Sequence, residues 1–288
     1  MINRKFIKHF ESFSERSIPE ILKKISIELK DDISKYSIIG YSNTFEFEYL
    51  SFNVDIKLSN NGSYYSNIDL LKIIKEPDIS VDIVVYIPNN FDIDYVVATI
   101  IHEVRHIYDI YTINSENDMK SFVDDFYIRK LKIGNYTNFI NLIYLSLEHE
   151  LIARNNMIFP YIGIKNMNEK DSMDLVKSTF IYKSLDLLDS FDHISFVSSI
   201  EPNTLLKLTN IFIKDVSKDN KQCSDINDLI LFYQKYEKYF KSLVSEWKLE
   251  INKEISKIYE LKTYSNNESI ISGTHRLFIE IYNNIIYT

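Results

Sequence analysis

Hydrophobic and polar positions repeat with two different periods in the first part of the chain. Apolar side chains recur every three or four residues over 2–30, which predicts a helix that is interrupted near Pro19. The segment 44–58, TFEFEYLSFNVDIKL, alternates instead for much of its length, as a half-buried strand does, and 59–66 has the composition of a turn. A second strand is predicted over 79–87, directly before a proline.

After this strand the helical period dominates. Asp92 or Asp94 is a suitable N-cap for a helix over 95–112. The segment 226–263 keeps apolar residues three or four apart without Gly or Pro, which predicts one long helix or two that are joined by a short link. Further helices are predicted over 116–131, over 137–158 and throughout the chain after Pro160, with loops near 165–171, 200–203 and 217–226.

The change of period predicts an α+β fold with two parts. Residues 1–165 combine strands and helices, and residues 166–288 form an all-helical C-terminal subdomain. At 288 residues the chain is long enough to bury a sizeable core in each part.

Composition and charge exclude several classes of partner. The net charge is −8 and no basic block occurs, which argues against a nucleic-acid-binding surface. The single cysteine, Cys223, allows no intrachain disulfide. The first residues, MINRKFIKHFESFSER, lack the apolar core of a signal peptide, and no apolar run is long enough to span a bilayer. We therefore expect a cytoplasmic protein that binds neither nucleic acid nor membrane.

The segment ATIIHEVRHIYD, at 98–109, carries the clearest candidate chemistry. His102 and His106 stand four residues apart on the predicted helix, so their imidazoles project from one face and can reach the same metal ion. Glu103 lies at the edge of that face, where a carboxylate can exchange protons with a water that a metal has made more acidic. The spacing His-Glu-x-x-His therefore predicts a catalytic metal site.

A third ligand is expected in SLEHELIARN, at 146–155. Glu148 and Glu150 are about 200° apart around a helix, so only one of them can face the metal. Glu150 aligns with the apolar Leu147 and Leu151, which favours it as the inward residue, and Glu148 remains the alternative. Ala98 and Ala153 are the only alanines in the chain, and their small side chains would let the two helices approach closely.

The strand, the helix with HEVRH and the later ELIARN together resemble the zincin metallopeptidases whose third ligand is a glutamate. The resemblance covers roughly residues 79–160. It implies a zincin-like core, a Zn²⁺ cofactor bound by His102, His106 and Glu150, and Glu103 as general base. Asp109 and Thr112 depart from the extended motif of the neighbouring zincin branch, which has Gly and then His or Asp at those positions.

Other polar residues could complete such a site. Asp109 could accept an N–H from a ligand histidine, or it could be a solvated residue at the helix end. A donor that stabilises the transition-state oxyanion is also needed, and Tyr144, His193 and His275 are candidates between which the sequence does not choose.

We therefore expect a zinc-dependent metallopeptidase that cleaves a protein or peptide substrate lying extended beside the strand at 79–87. The alternative is a structural or assembly protein of the virion type, with a structural or vestigial metal site, that binds a partner or itself through the helical region 226–263. If the chain is phage-encoded, a virion-associated location replaces the cytoplasmic one. A third reading is a regulatory protease or toxin-like effector that acts on one particular protein.

Overall fold

The computed structural model describes residues 18–36, 38–47, 50–69, 80–113, 136–163, 167–214 and 222–266. The helix predicted over 116–131, the part of the first helix before residue 18, and the candidate His275 lie outside the described residues.

A four-stranded mixed sheet forms one side of the fold. Its strands are β1 (Ser42–Phe47), β2 (Leu50–Leu58), β3 (Tyr65–Ile68) and β4 (Val81–Ile87), in the spatial order β1-β2-β4-β3. β2 pairs with β1 in antiparallel and with β4 in parallel orientation, and β3 pairs with β4 in antiparallel orientation. β4 is therefore an inner strand, and β3 is the edge strand on its side of the described sheet.

Two predictions for this region are wrong. The segment 44–58 was expected to be a single strand, but it folds into the antiparallel pair β1 and β2. The segment 59–66 was expected to be a turn, but β3 begins within it at Tyr65. β3 has only four residues, of which Ser66 and Asn67 are polar, so its strand conformation depends on pairing with β4 and not on a local pattern.

The sheet covers one buried core. Alternate residues of β4 are buried, as a strand with one face on a core requires, and Phe52, Val54 and Ile56 of β2 are fully buried. These side chains pack in one cluster with α1 (Ile18–Ile33) and with α2 (Ile93–Thr112). α1 contributes Ile25 and Leu29, which are one turn apart and both fully buried.

The helix α2 confirms the sequence prediction closely. Asp92 is its N-cap, and the Asp92 side chain accepts a hydrogen bond from the backbone amide of Asp94. Most of α2 is buried, because one side packs on the sheet and another side packs on the helices that follow. This two-sided burial leaves little solvent around the histidines in the middle of the helix.

All regular elements that the structure describes after residue 136 are helices. The helix predicted over 137–158 is divided in two, because Leu147 adopts an extended conformation with ψ of 135°. The helix predicted over 226–263 is confirmed as one continuous element. The helices are α3 (Thr137–Ser146), α4 (Glu148–Asn156), a π-helical turn (Phe159–Gly163), α5 (Glu169–Ser178), α6 (Phe180–Asp189), α7 (His193–Ser198), α8 (Pro202–Phe212) and α9 (Ile226–Asn266).

A second buried core joins these helices. It contains residues of α3 and α4 together with residues of α5, α6, α8 and α9, and it includes Ala98 of α2. The α+β fold is thus confirmed, whereas the domain boundary at 165 stays a prediction. No helix in the described part of the chain is both long and apolar enough to cross a membrane.

Candidate metal centre

Three potential metal ligands meet where α2 crosses α4. His102 and His106 lie one turn apart on α2, and their Nε2 atoms are 3.1 Å from each other. Glu150 lies in the first turn of α4, and its carboxylate oxygens are 3.5 Å from His102 Nε2 and 3.3 Å from His106 Nε2. Ala98 on α2 and Ala153 on α4 are both fully buried, which agrees with a close approach of the two helices.

The separations between these atoms fit a bound ion. Zinc binds His nitrogen and carboxylate oxygen at about 2.0–2.1 Å with tetrahedral geometry, which places neighbouring ligand atoms about 3.3 Å apart. Here the two nitrogens are 3.1 Å apart, and the two oxygens of Glu150 lie 3.5 Å from His102 Nε2 (Oε2) and 3.3 Å from His106 Nε2 (Oε1). The group of His102, His106 and Glu150 could therefore hold a metal ion. Two histidine nitrogens and one carboxylate are a ligand set that binds zinc and several other transition metals.

The carboxylate of Glu150 is held by neighbours as well as by the histidines. Tyr144, near the end of α3, donates its hydroxyl hydrogen bond to Glu150 Oε1. Arg154, one turn further along α4, approaches Glu150 Oε2 with Nη2 at 3.3 Å and donates from Nη1 to the carbonyl of Leu145 at 3.0 Å. Because Arg154 is only 2% exposed, its charge interacts strongly with that of Glu150.

Burial and charge act in opposite directions on these groups. Burial alone would raise the pKa of Glu150, but His106 and His102 hold it well below its usual value, so the carboxylate is ionised. Burial alone would lower the pKa of His106, but the neighbouring Glu150 carboxylate outweighs burial and raises it. His149, whose ring centroid is 5.6 Å from that of His106, has its pKa lowered to about 4 by burial and is neutral at pH 7.

Glu103 lies beside the ligand group and is only 7% exposed. Its Oε1 accepts a hydrogen bond from the hydroxyl of Ser66, which belongs to the edge strand β3. In the sheet register Ser66 is opposite Val85 of β4. The edge strand therefore fixes the orientation of the carboxylate that follows the first histidine.

The three potential metal ligands, together with Glu103 and Ser66, border one cleft of about 710 Å³. One wall is formed by Tyr64, by the whole of β3 and by Asp69. The floor contains His102, Glu103, His106, Tyr144 and Glu150. Phe180 and Leu187 of α6 also line the cleft, so the helical region after residue 166 contributes to it.

The structure separates the two candidates for the third ligand. Glu148 is exposed, whereas Glu150 is 2% exposed and meets both histidines. Asp109 does not hydrogen-bond to a ligand histidine: its Oδ1 accepts from Arg105 Nε at 2.8 Å, and its Oδ2 is buried with no hydrogen-bond partner among the described residues. Asp109 acts on His106 through charge, which contributes to the raised pKa of that histidine.

His193 is not among the described residues that line the cleft. It lies at the start of α7, where Glu237 of α9 accepts hydrogen bonds from its ring Nδ1 and, at 3.1 Å, from its backbone amide. Lys241 donates to the same glutamate, so His193 belongs to a partly exposed network of charges. Asp192, His193 and Glu237 also have the spacing of a metal-binding group, although exposed acidic groups commonly have this spacing without an ion.

The sequence gives no signal for the role of Ser66 or for the partner of Arg154. The structure pairs Arg154 with Glu150. Ser66 has no local signal, because its contact with Glu103 spans 37 residues and depends on the pairing of β3 with β4.

Comparison with known proteins adds nothing to this geometry: no protein-family model, no curated protein and no solved structure matches the chain.

Proposed function

We propose that the protein is a zinc-dependent metallopeptidase of the zincin type with a glutamate as third ligand. The observation that supports it is the convergence of His102, His106 and Glu150 in one cleft that also contains Glu103. A structural zinc site normally has four protein ligands, whereas a catalytic site has three and leaves a position for water or substrate. Three ligands beside an acid–base residue therefore favour catalysis.

Zinc in such a site polarises a carbonyl group and lowers the pKa of water. In the proposed reaction Glu103 takes a proton from the attacking water and transfers it to the amine that leaves. Ser66 donates to Glu103 Oε1, so we assign the proton transfer to Oε2. Because the Tyr144 hydroxyl donates to Glu150, we assign Tyr144 to orienting the ligand, and the donor to the oxyanion stays unassigned.

The substrate is a polypeptide in extended conformation. The strand predicted to lie beside it, 79–87, is β4, and β4 is hydrogen-bonded on both sides by β2 and β3. This part of the prediction is therefore corrected. β3 is the edge strand of the described sheet and lines the cleft, so it is the strand beside which we now expect the substrate.

The variant Glu103→Gln tests the proposal, because it removes the proton acceptor and keeps the size of the side chain. Zinc content, measured by elemental analysis, should remain about one ion per chain, while cleavage of a labelled casein substrate should fall at least about a hundredfold. Glu148→Gln is the matched control, since this glutamate is exposed, and it should keep full activity. Undiminished cleavage by Glu103→Gln would exclude the mechanism.

A second proposal is an assembly protein of the virion type. Exposed apolar side chains on α9 favour it, since such residues can bind a partner or a second copy. They are Ile226, Ile230, Leu231 and Leu249. Light scattering on the purified protein distinguishes the two: a stable oligomer without casein cleavage supports assembly, and an active monomer supports the peptidase. A cytoplasmic location accompanies the peptidase and a virion-associated location the assembly protein.

A further inference from the structure

One side chain of the edge strand β3 contacts the acid–base group of the site. The hydroxyl of Ser66 donates a hydrogen bond to Glu103 Oε1. Ser66 is paired with Val85 of β4, which is fully buried. Because the side chains of directly paired residues lie on the same face of a sheet, Ser66 belongs to the face that is covered by α2. The position of β3 therefore determines where Glu103 receives this hydrogen bond.

Two aromatic contacts fix β3 relative to α2 and to β4. The hydroxyl of Tyr64, directly before the strand, accepts a hydrogen bond from the backbone amide of Asp92 at 2.7 Å, and its ring packs edge-to-face on Tyr95 with centroids 4.6 Å apart. On the other face of the sheet the rings of Tyr65 and Tyr86 are stacked, with centroids 4.3 Å apart. Both contacts are at the start of β3, so the residues that follow depend more on backbone pairing.

The outer edge of β3 has no partner strand among the described residues. β3 ends the spatial order β1-β2-β4-β3, and it lines the cleft that contains the potential metal ligands. An edge strand presents backbone N–H and C=O groups to which an extended peptide can add as a further strand. A strand of four residues with one neighbour gains restraint from a second neighbour, so an added peptide should restrain Ser66 and, through it, Glu103.

We infer that Ser66 is a positioning residue that couples the binding of an extended peptide at the β3 edge to the placement of Glu103. This inference rests on the proposed function, because it names how the substrate regulates the same site. Peptides that pair with β3 are therefore cleaved with a higher kcat, and not only bound more tightly, than short blocked peptides. The metal ligands take no part in this coupling.

Hydroxamates of different length test the coupling without requiring hydrolysis. Alanyl hydroxamates of one, two and four residues carry the same zinc-chelating group, which presents a hydroxyl in the place of the attacking water. In calorimetric titrations of the zinc-loaded full chain, the four-residue compound should bind at least about thirtyfold more tightly than the one-residue compound, since each added residue brings backbone hydrogen bonds to β3. Ser66→Ala should reduce this gain at least about fivefold, while zinc content stays near one ion per chain.

A double-mutant cycle assigns the effect to the contact between the two side chains. In a Glu103→Ala background the acceptor of the hydrogen bond is absent, so adding Ser66→Ala should leave the gain with length unchanged. A reduction of the gain as large as in the wild-type background would show that Ser66 acts through the strand alone and would overturn the inference.

Turnover separates placement of Glu103 from binding of the substrate. With fluorogenic alanine peptides of increasing length, kcat of the wild type should rise at least about tenfold. Ser66→Ala should remove most of this rise with little change in KM, and Ser66→Thr, which keeps the hydroxyl, should restore it. Ser63→Ala is the matched control: Ser63 is exposed, it donates to Asn61 within the turn before β3, and its replacement should change neither kcat nor the gain in hydroxamate affinity.

The outcomes distinguish this inference from the proposed function. If Ser66→Ala weakens all hydroxamates by the same factor, or if Ser66→Thr fails to restore the rise in kcat, the coupling is overturned and the peptidase proposal stands. A length-dependent gain that requires Ser66, in a protein that cleaves none of the peptides, supports the coupling and overturns the peptidase proposal. Absence of zinc binding overturns both.

Discussion

Replacing Arg154 with Met should destabilise the protein much more in the absence of metal than in its presence. The side chain is 2% exposed, and its Nη2 is 3.3 Å from Glu150 Oε2. At this distance the attraction between unit charges is about 5 kcal/mol with an effective dielectric constant near 20. Removing one partner of a buried ion pair typically lowers the free energy of unfolding by about 3–5 kcal/mol. Because Tyr144 still donates a hydrogen bond to Glu150, we expect the free energy of unfolding of the metal-free variant to fall by about 3 kcal/mol, at the lower end of this range.

Bound zinc places positive charge beside the same carboxylate and should compensate part of this loss. Urea unfolding monitored by circular dichroism measures the loss in unfolding free energy without metal, in the presence of a chelator, and with metal, at saturating zinc. The coupling between zinc binding and the substitution is reciprocal. If zinc reduces the loss in unfolding free energy by about 1.4 kcal/mol, Arg154→Met must therefore bind zinc about tenfold more tightly than the wild type does. Competition with a chromogenic chelator measures that affinity independently.

The matched control is Lys248→Met. Lys248 Nζ is 3.4 Å from Asp186 and 3.9 Å from Asp189, and all three side chains are partly exposed. Its removal should cost less than about 1 kcal/mol, with or without zinc. A loss in Arg154→Met that is no larger than in this control, or one that zinc leaves unchanged, would refute the assignment of Arg154 as counterion to the ligand.

Three further predictions concern single contacts. Tyr144→Phe removes a hydrogen bond to Glu150 and should weaken zinc binding about 10–100-fold in chelator competition, whereas unchanged affinity would contradict the assigned role. Asp92→Ala removes the N-cap of α2 and should lower the free energy of unfolding by about 1 kcal/mol in urea titrations. Hydrogen bonds from Lys241 and His193 lower the pKa of Glu237 to about 2 in the folded protein. The ionised Glu237 carboxylate therefore stabilises the fold fully above its unfolded pKa near 4.3, and this contribution is lost as the pH falls towards 2. Glu237→Gln should therefore destabilise the protein at pH 7 and match the wild type near pH 2.

The sequence was sufficient for the parts of the site that depend on local spacing. α2 could be predicted because its apolar period, its cap at Asp92 and the four-residue separation of the histidines all lie within one element. Glu150 could be preferred over Glu148 because the helical period places Glu150 on the same face as Leu151, and both are buried in the structure; Leu147, the other residue of the predicted apolar face, is the extended residue before α4. A helical wheel is reliable within such an element.

The features that sequence reasoning missed depend on contacts between distant segments. β3 is short and polar, and it becomes a strand only by pairing with β4, so neither the edge strand nor Ser66 could be anticipated. The break at Leu147 is marked by neither Gly nor Pro, and the helices on its two sides have different neighbours: α3 packs on α6, whereas α4 packs on α2 and α9. Long-range packing overrides local propensity at both places.

Zinc binding by Glu150→Ala and Glu148→Ala, measured side by side with the wild type, tests the central claim most directly. Wild type and Glu148→Ala should each bind about one zinc ion with the same affinity, because a catalytic site takes three protein ligands and Glu148 is exposed. Glu150→Ala should lose zinc when dialysed against a chelator that the wild type withstands. Retention of zinc by Glu150→Ala, or its loss from Glu148→Ala, would contradict the three-ligand centre of His102, His106 and Glu150.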